Sequence, residues 1–221
     1  KESLSSITFQ SEIRTGFSMS AWIKPDDGIT GSNQALIGAF TDSNHSFVLY
    51  IDSGAGKLSA RIVTDGVTKY AVEDSASFVD GANPWKHVVF TTTYVDSSNW
   101  IMKLYVDGVS RGTYSDSSAN YTEDDLMIGY DATLSGDYAF SGHITNFRQV
   151  NGVAVYTGAF TVPTAPLETT QSSGTNIAAI TGTATSFLAQ PYNTETVNNV
   201  PPIYTRDETG KILVKIALFL I

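Results

Sequence analysis

The chain has no cysteine. Disulfides, cysteine-ligated zinc and thiol chemistry are therefore excluded. A secreted eukaryotic module of this size would often carry a disulfide, so the absence leans towards a bacterial or viral source. Charge is also scarce. Charged residues make up 16% of the 221, against about a quarter in an ordinary soluble domain. Basic residues are the scarcer sign, 13 Lys and Arg against 22 Asp and Glu, for a net charge of −9. No basic run exists, so a nucleic-acid footprint is absent. A negative surface repels DNA phosphates and anionic lipid, and suits divalent cations or a basic protein partner instead. Solubility alone would also account for it. Long apolar runs are missing too. The most apolar stretch, residues 212–221, is interrupted by Lys215 and is far too short to span a bilayer. No apolar core of a signal peptide is visible in Lys1 to Gln10. The chain begins with Lys, which implies a processed start or a cut from something longer. No stretch has convincing helical periodicity.

What is present suits strands. Hydrophobic residues make up 42%, enough for a sizeable core, and Ser, Thr, Gly and Asn stand where charge is missing. A first weakly alternating strand is expected at Ser6 to Gln10. In Gly16 to Lys24, Phe17, Met19, Ala21 and Ile23 share one face, while Ser18, Ser20, Trp22 and Lys24 share the other. Trp22 on a nominally polar face implies a covered edge or a second sheet. Strands follow at Ala35 to Phe40, Phe47 to Asp52, Leu58 to Val63 and Val67 to Val72, then Trp85 to Tyr94, Trp100 to Val106 and Val109 to Tyr114. Asp65-Gly66 and Asp107-Gly108 mark tight hairpins. Strands recurring roughly every 8–12 residues between turn clusters predict an all-β sandwich or barrel.

Residues 126–167 close this architecture. Leu126 to Gly129 and Phe140 to Gln149 are further strands. Phe147 is out of phase with Phe140 and Ile144, which implies a bulge or a second buried face. Gly142 allows close backbone approach, Arg148 can hold a carbonyl or carboxylate beside the sheet, and Tyr156 and Phe160 are expected to cap the open end of the sandwich. Pro163 and Pro166 keep residues 161–167 extended and outside a central ladder. The last sandwich strand is expected near Thr185 to Ala189.

The order FSMSAWIKP, ALIGAF, WKHVVFTTT, MKLYVDGV, FSGHITNFRQVNGVAVYTGAF resembles the laminin-G-like, concanavalin A-like jelly-roll family over Leu4 to Gln190. The W-x-H that opens the long strand and the Y-V-D-G after it carry much of the resemblance. The closing stretch is most similar to the version found in tailed-phage structural proteins. Cellular members more often have acidic residues where Thr145 and Asn146 stand. The expected organisation is a jelly-roll sandwich over residues 1–190, then a Pro/Asn-rich linker and a C-terminal β arm over 191–221.

The arm carries two apolar stripes. Ile212, Val214, Ile216, Leu218 and Leu220 form one, and Leu213, Ala217, Phe219 and Ile221 the other. A strand apolar on both faces cannot stay exposed without inviting aggregation. Burial against another chain is expected, with other virion proteins and copies of this chain as partners. The alternative is that it folds back on its own sandwich.

The resemblance also covers glycosidases. A retaining glycosidase needs two carboxylates about 5–5.5 Å apart. Glu73-Asp74 and Glu123-Asp124-Asp125 are adjacent acids, which face opposite ways on a strand and make poor catalytic pairs. His45, His87 and His143 are scattered, and His87 and His143 are expected to be satisfied structural residues. No catalysis is expected. The family often holds one Ca²⁺ at the sandwich rim through loop aspartates and main-chain carbonyls. Asp42 matches that loop position, and Asp131 and Asp137 flank the Gly136 loop before the closing strand. Carbohydrate binding needs an aromatic platform with polar groups around it. Trp100, Tyr121, Tyr130 and Tyr138 are the candidates. The expected function is a non-enzymatic virion protein, as capsid decoration or a tail or fibre component. The alternative is a lectin-like adhesin that recognises host surface glycans.

Overall fold

A computed structural model of the chain describes residues 16–26, 31–72, 74–78, 83–96, 99–116, 126–129 and 139–189, with short strands at 204–206 and 212–214. Two antiparallel sheets face each other. One is built from β1 (Phe17–Pro25), β6 (Lys86–Asp96), β7 (Asn99–Val106), β8 (Val109–Asp116), β10 (Gly142–Asn151) and β11 (Thr185–Ala189), in the order β11-β10-β1-β6-β7-β8. The other is built from β2 (Gln34–Asp42), β3 (His45–Ile51), β4 (Leu58–Thr64), β5 (Val67–Val72) and β9 (Leu126–Ile128), in the order β5-β4-β3-β2-β9. A separate two-stranded pair joins β12 (Tyr204–Arg206) to β13 (Ile212–Val214). The only helical element among the described residues is a 3-10 turn at Gly182–Ala184. The expected strand at residues 6–10 lies outside the described residues.

Alternation decides which side chains enter the core. Phe17, Met19, Ala21 and Ile23 of β1 meet Phe47, Leu49 and Ile51 of β3, with Phe90, Met102 and Leu104 between. The predicted hairpin turns form: Asp65 and Gly66 have φ of 49° and 74°, Asp107 and Gly108 of 50° and 76°. The bulge forms as well. In the β1–β10 ladder Ser20 pairs with Arg148, but Trp22 pairs with Thr145, so β10 carries one extra residue. Asn146 takes it up in the left-handed region, φ 50°, where Asn is better tolerated than most side chains. The inserted residue lets both Ile144 and Phe147 pack on the same core.

One expectation needs correction. Tyr156 and Phe160 do not cap an open end of the sandwich. They belong to a second core on the outer face of the six-stranded sheet, with Val89, Tyr105, Val150, Val155 and Ile180. Residues 153–184 run across that face as an irregular cover. The reason lies in the side chains that β1 turns outward. Ser18 and Ser20 are small and buried, so a chain can lie close against them. The Ser18 hydroxyl donates to the Val153 carbonyl at 3.0 Å and accepts from the Val155 N–H at 2.7 Å. Trp22 lies on this face too, its ring 5.3 Å from that of His87.

Candidate functional site

The outer face of the six-stranded sheet gathers the polar and aromatic groups most relevant to function. Arg148 leaves β10 on this side and is 1% exposed. Its guanidinium donates to the Glu168 carbonyl at 3.1 Å, to the Gln171 side-chain oxygen at 2.9 Å and to the Tyr156 hydroxyl at 3.4 Å. Gln171 in turn donates to the Ala178 carbonyl at 3.3 Å. The expectation that Arg148 holds a carbonyl beside the sheet is met. The planar fork suits this work, because several donors leave it in fixed directions. Burial lowers the Arg148 pKa, yet guanidinium stays charged in proteins.

Uncovered by residues 153–184, the end of this face where β1 and β6 meet β10 presents a ledge. Trp85 is 43% exposed. Its indole lies 6.3 Å from the His143 ring at an interplanar angle of 46°. His143 Nε2 is 3.4 Å from Asp26 Oδ1, and both side chains are about half exposed, 48% and 46%. Lys24 is the cross-strand partner of His143. The Asp26 N–H donates to the Ser141 carbonyl at 3.1 Å, which fixes the carboxylate beside the imidazole. Close approach here depends on Gly142. At φ 150° it lets the β10 backbone sit against Lys24 and Pro25, where a Cβ would collide with the Lys24 carbonyl. An exposed indole beside an imidazole that pairs with a carboxylate can stack a sugar ring and bond its hydroxyls.

Trp100 cannot serve as such a platform. It is 3% exposed and packs in the core between the sheets. Its place near a turn suggested exposure, but strand alternation turns it inward from β7. Tyr121, Tyr130 and Tyr138 lie outside the described residues. Trp85 was visible in the sequence only as the opening residue of the W-x-H strand. Its pairing with His143 and Asp26 joins positions far apart in the chain, and no local pattern signals that.

A third cluster occupies the tips of two neighbouring hairpins. Asp42 Oδ1 accepts from the Asn44 N–H at 2.7 Å and lies 3.0 Å from His45 Nδ1. His45 Nε2 is 3.4 Å from Asp65 Oδ1. The Asn44 N–H bond, with His45, holds the Asp42 carboxyl below its usual range. Desolvation pulls the His45 imidazole down, but the bonds to Asp42 and Asp65 outweigh it and leave its pKa raised.

A family model described as the concanavalin A-like lectin/glucanases superfamily, Laminin_G_3, matches residues 3–162. The chain belongs to this superfamily. Among curated protein sequences none matches significantly. Solved structures are similar at low identity. A heptameric SAP-like pentraxin from Limulus polyphemus is 17% identical, with 66% of each chain covered and a TM-score of 0.42. Tailspike protein 2 from Escherichia coli O157:H7 bacteriophage CAB120 is 15% identical over 64% of this chain and 20% of the tailspike, TM-score 0.43. Domains LG4-5 of the mouse laminin α1 chain are 16% identical over 72% of this chain and 43% of theirs, TM-score 0.47. The chain spans no more than 66% of the length of any of these three.

For a laminin G-like member, calcium at the Asp42 loop is the cofactor to test. Calcium takes about 6–8 oxygen ligands. Asp42 Oδ1 is instead turned to an N–H and an imidazole, and Asp131 and Asp137 lie outside the described residues. The described donor set at Asp42 does not fit calcium. Among the described residues no three His, Asp or Glu side chains are grouped to hold a metal ion. Among the described residues of this laminin G-like domain, four further carboxylates are committed locally. Asp52 accepts from the N–H groups of its own turn, Asp96 pairs with Asn99, Asp74 with Arg111 and Asp107 with Lys86.

Proposed function

We propose that the chain is a non-enzymatic virion structural module, a capsid decoration or a tail or fibre component, that acts by protein–protein assembly. The observation that carries this is the C-terminal arm. Among the described residues β12 and β13 pair only with each other. Such a ribbon is marginal in water by itself, and β13 opens the doubly apolar stretch of residues 212–221. Ile212, Val214, Ile216, Leu218 and Leu220 would stabilise by about 1.5–3 kcal/mol each when buried. Their sum, roughly 7–15 kcal/mol, is comparable with the cost of association, about 4–15 kcal/mol. Reciprocal exchange of arms between copies doubles the gain but not that cost. The virion setting is supported by the closing stretch around Phe147 to Phe160 and by the absence of cysteine. The partners are copies of this chain and other virion proteins. Light scattering on the chain with and without residues 203–221 tests the reading. A defined oligomer that falls to monomer on truncation is expected; a monomer in both cases removes it.

The exposed Trp85 ledge favours a second reading, a lectin-like adhesin for host glycans, and the two are compatible. The test is a glycan array with wild type and Trp85→Ala, each with and without chelator. Retention that survives chelator and is lost in Trp85→Ala is expected. Retention on no glycan, or equal retention by both proteins, overturns the ledge as a sugar site.

A further inference from the structure

His87 is the one histidine drawn into the second core. Its side chain is fully buried. The ring is caged by Trp22 at 5.3 Å, Phe160 at 5.8 Å and Tyr156 at 6.1 Å, the last two edge-on. Tyr156 and Phe160 are stacked on each other at 4.1 Å, and both belong to the cover. Neither imidazole nitrogen has a hydrogen-bond partner. This differs from the satisfied structural histidine that the sequence suggested. A buried neutral ring tolerates such a cage; a buried cation without an acceptor does not.

The groups around the ring sharpen this. Arg148 of β10 places a buried cation on the same face, and its field disfavours a second. Asp107, in the β7–β8 turn, is the anion that favours one. That carboxylate is already engaged, by Lys86 Nζ at 2.8 Å and by the His87 backbone N–H at 2.9 Å. The remaining titratable groups are the hydroxyls of Tyr105 and Tyr156, and burial raises both pKa values, so both stay neutral. An imidazolium would therefore have to share the Asp107 carboxylate with groups that already hold it.

The cover meets this ring through Tyr156 and Phe160. Phe160 donates its N–H to the Gly108 carbonyl at 3.0 Å. Gly108 is itself a positive-φ residue whose missing Cβ leaves room for the Phe160 carbonyl. Elsewhere the cover is held by Thr91 to the Tyr156 carbonyl at 3.4 Å, by Lys103 to the Thr157 carbonyl at 3.0 Å, by the two Ser18 bonds and by the three Arg148 bonds. Between the sheets, by contrast, the core is aliphatic and aromatic and separate from this layer.

We propose that residues 153–184 form an acid-released latch: protonation of His87 expels its ring from the Trp22–Tyr156–Phe160 cage and lifts the cover from the outer sheet face, while the sandwich stays folded. The cover would then free Tyr156, Phe160 and the outer face for contact with another surface. Burial depresses the His87 pKa to about 4, against 6.5 when free. The closed state is therefore favoured above pH 6.5 and loses that advantage as pH falls towards 4. Opening should rise about tenfold per pH unit through this window, and on the order of a hundredfold in total.

Hydrogen exchange by mass spectrometry from pH 7 to pH 4, corrected for intrinsic rates, tests this on the full chain. The amides of Val155, Phe160, Ala178 and Ile180 should lose protection by about two orders of magnitude, while amides of β3 and β6 keep theirs. His87→Phe, which keeps a ring but cannot be protonated, should remove the pH dependence; His87→Gln serves if that variant does not fold. Cover amides that track β3 and β6 across the range would overturn the latch. So would a non-titrating variant with the wild-type pH dependence.

Discussion

At the scale of single residues, burial separates two tryptophans that look alike in the sequence. Trp100 fills the inter-sheet core and Trp85 stands on the surface. Trp100→Ala should cost roughly 3–5 kcal/mol, since it removes a large buried ring and leaves a cavity. Trp85→Ala should change stability by no more than about 0.5 kcal/mol. Urea denaturation of both variants checks the contrast. Arg148 is decided by hydrogen bonding rather than by charge pairing. Among the described residues its guanidinium bonds no carboxylate and satisfies two carbonyl-type oxygens and a hydroxyl. Arg148→Met keeps much of the stem but orphans the Glu168 carbonyl and Gln171. A loss on the order of 2–3 kcal/mol is expected, read in the same experiment. Arg148→Lys should recover only part of it, because an ammonium lacks the fork.

At the scale of elements, the β10 bulge determines which face of the strand reaches the core. Asn146 is the inserted residue, and its side-chain oxygen is buried without a partner. Asn146→Gly should hold or raise the melting temperature, since glycine adopts positive φ freely and removes the unpaired oxygen. Asn146→Val should lower stability by about 1–2 kcal/mol, the cost of the left-handed conformation for a side chain branched at Cβ. Deletion of Asn146 should abolish folding, because a one-residue slip turns either Ile144 or Phe147 away from the core. Circular dichroism melts on the three variants distinguish these outcomes. The cover belongs to this scale as well. It has no ladder of its own beyond isolated bridges such as Tyr156 with Ile177 and Gln171 with Ile180. Its order comes from a few backbone bonds and from side chains that reach it from the sheet.

At the scale of the whole molecule, two histidines respond to pH with opposite sign. His87 has a depressed pKa and weakens the fold as pH falls below 6.5. His45 has a raised pKa, so its contribution is present below 6.5 and is lost as pH rises through the raised value. In His45→Asn the deficit in melting temperature against wild type should therefore be visible at about pH 5.5 and shrink as pH rises. A deficit that grows with pH would contradict the Asp42–His45–Asp65 geometry. His45 is bonded at hairpin tips, away from the cover, so the two effects are separable by position as well as by sign.

Much of this architecture was legible in the chain itself, because strand alternation is local. The inward stripe of β1, the Asp-Gly hairpins and the strand at Thr185 to Ala189 follow from period-two patterning and turn chemistry, as does the phase break between Ile144 and Phe147, though not its place at Asn146. Each depends on neighbours within a few residues. The candidate sites did not have that property. Trp85, His143 and Asp26 meet only because β1, β6 and β10 are adjacent in one sheet, and His87 is caged only because residues 153–184 return across its outer face. Trp100 was misplaced for the same reason, since a residue beside a turn can face either way. The sequence by itself determined the all-β character, the approximate place of most strands and the inward face of β1. Only the tertiary structure decided that one sheet is buried on both faces. Two cores arise because small serines on β1 leave room for a second layer, and that fact depends on what lies opposite them in space.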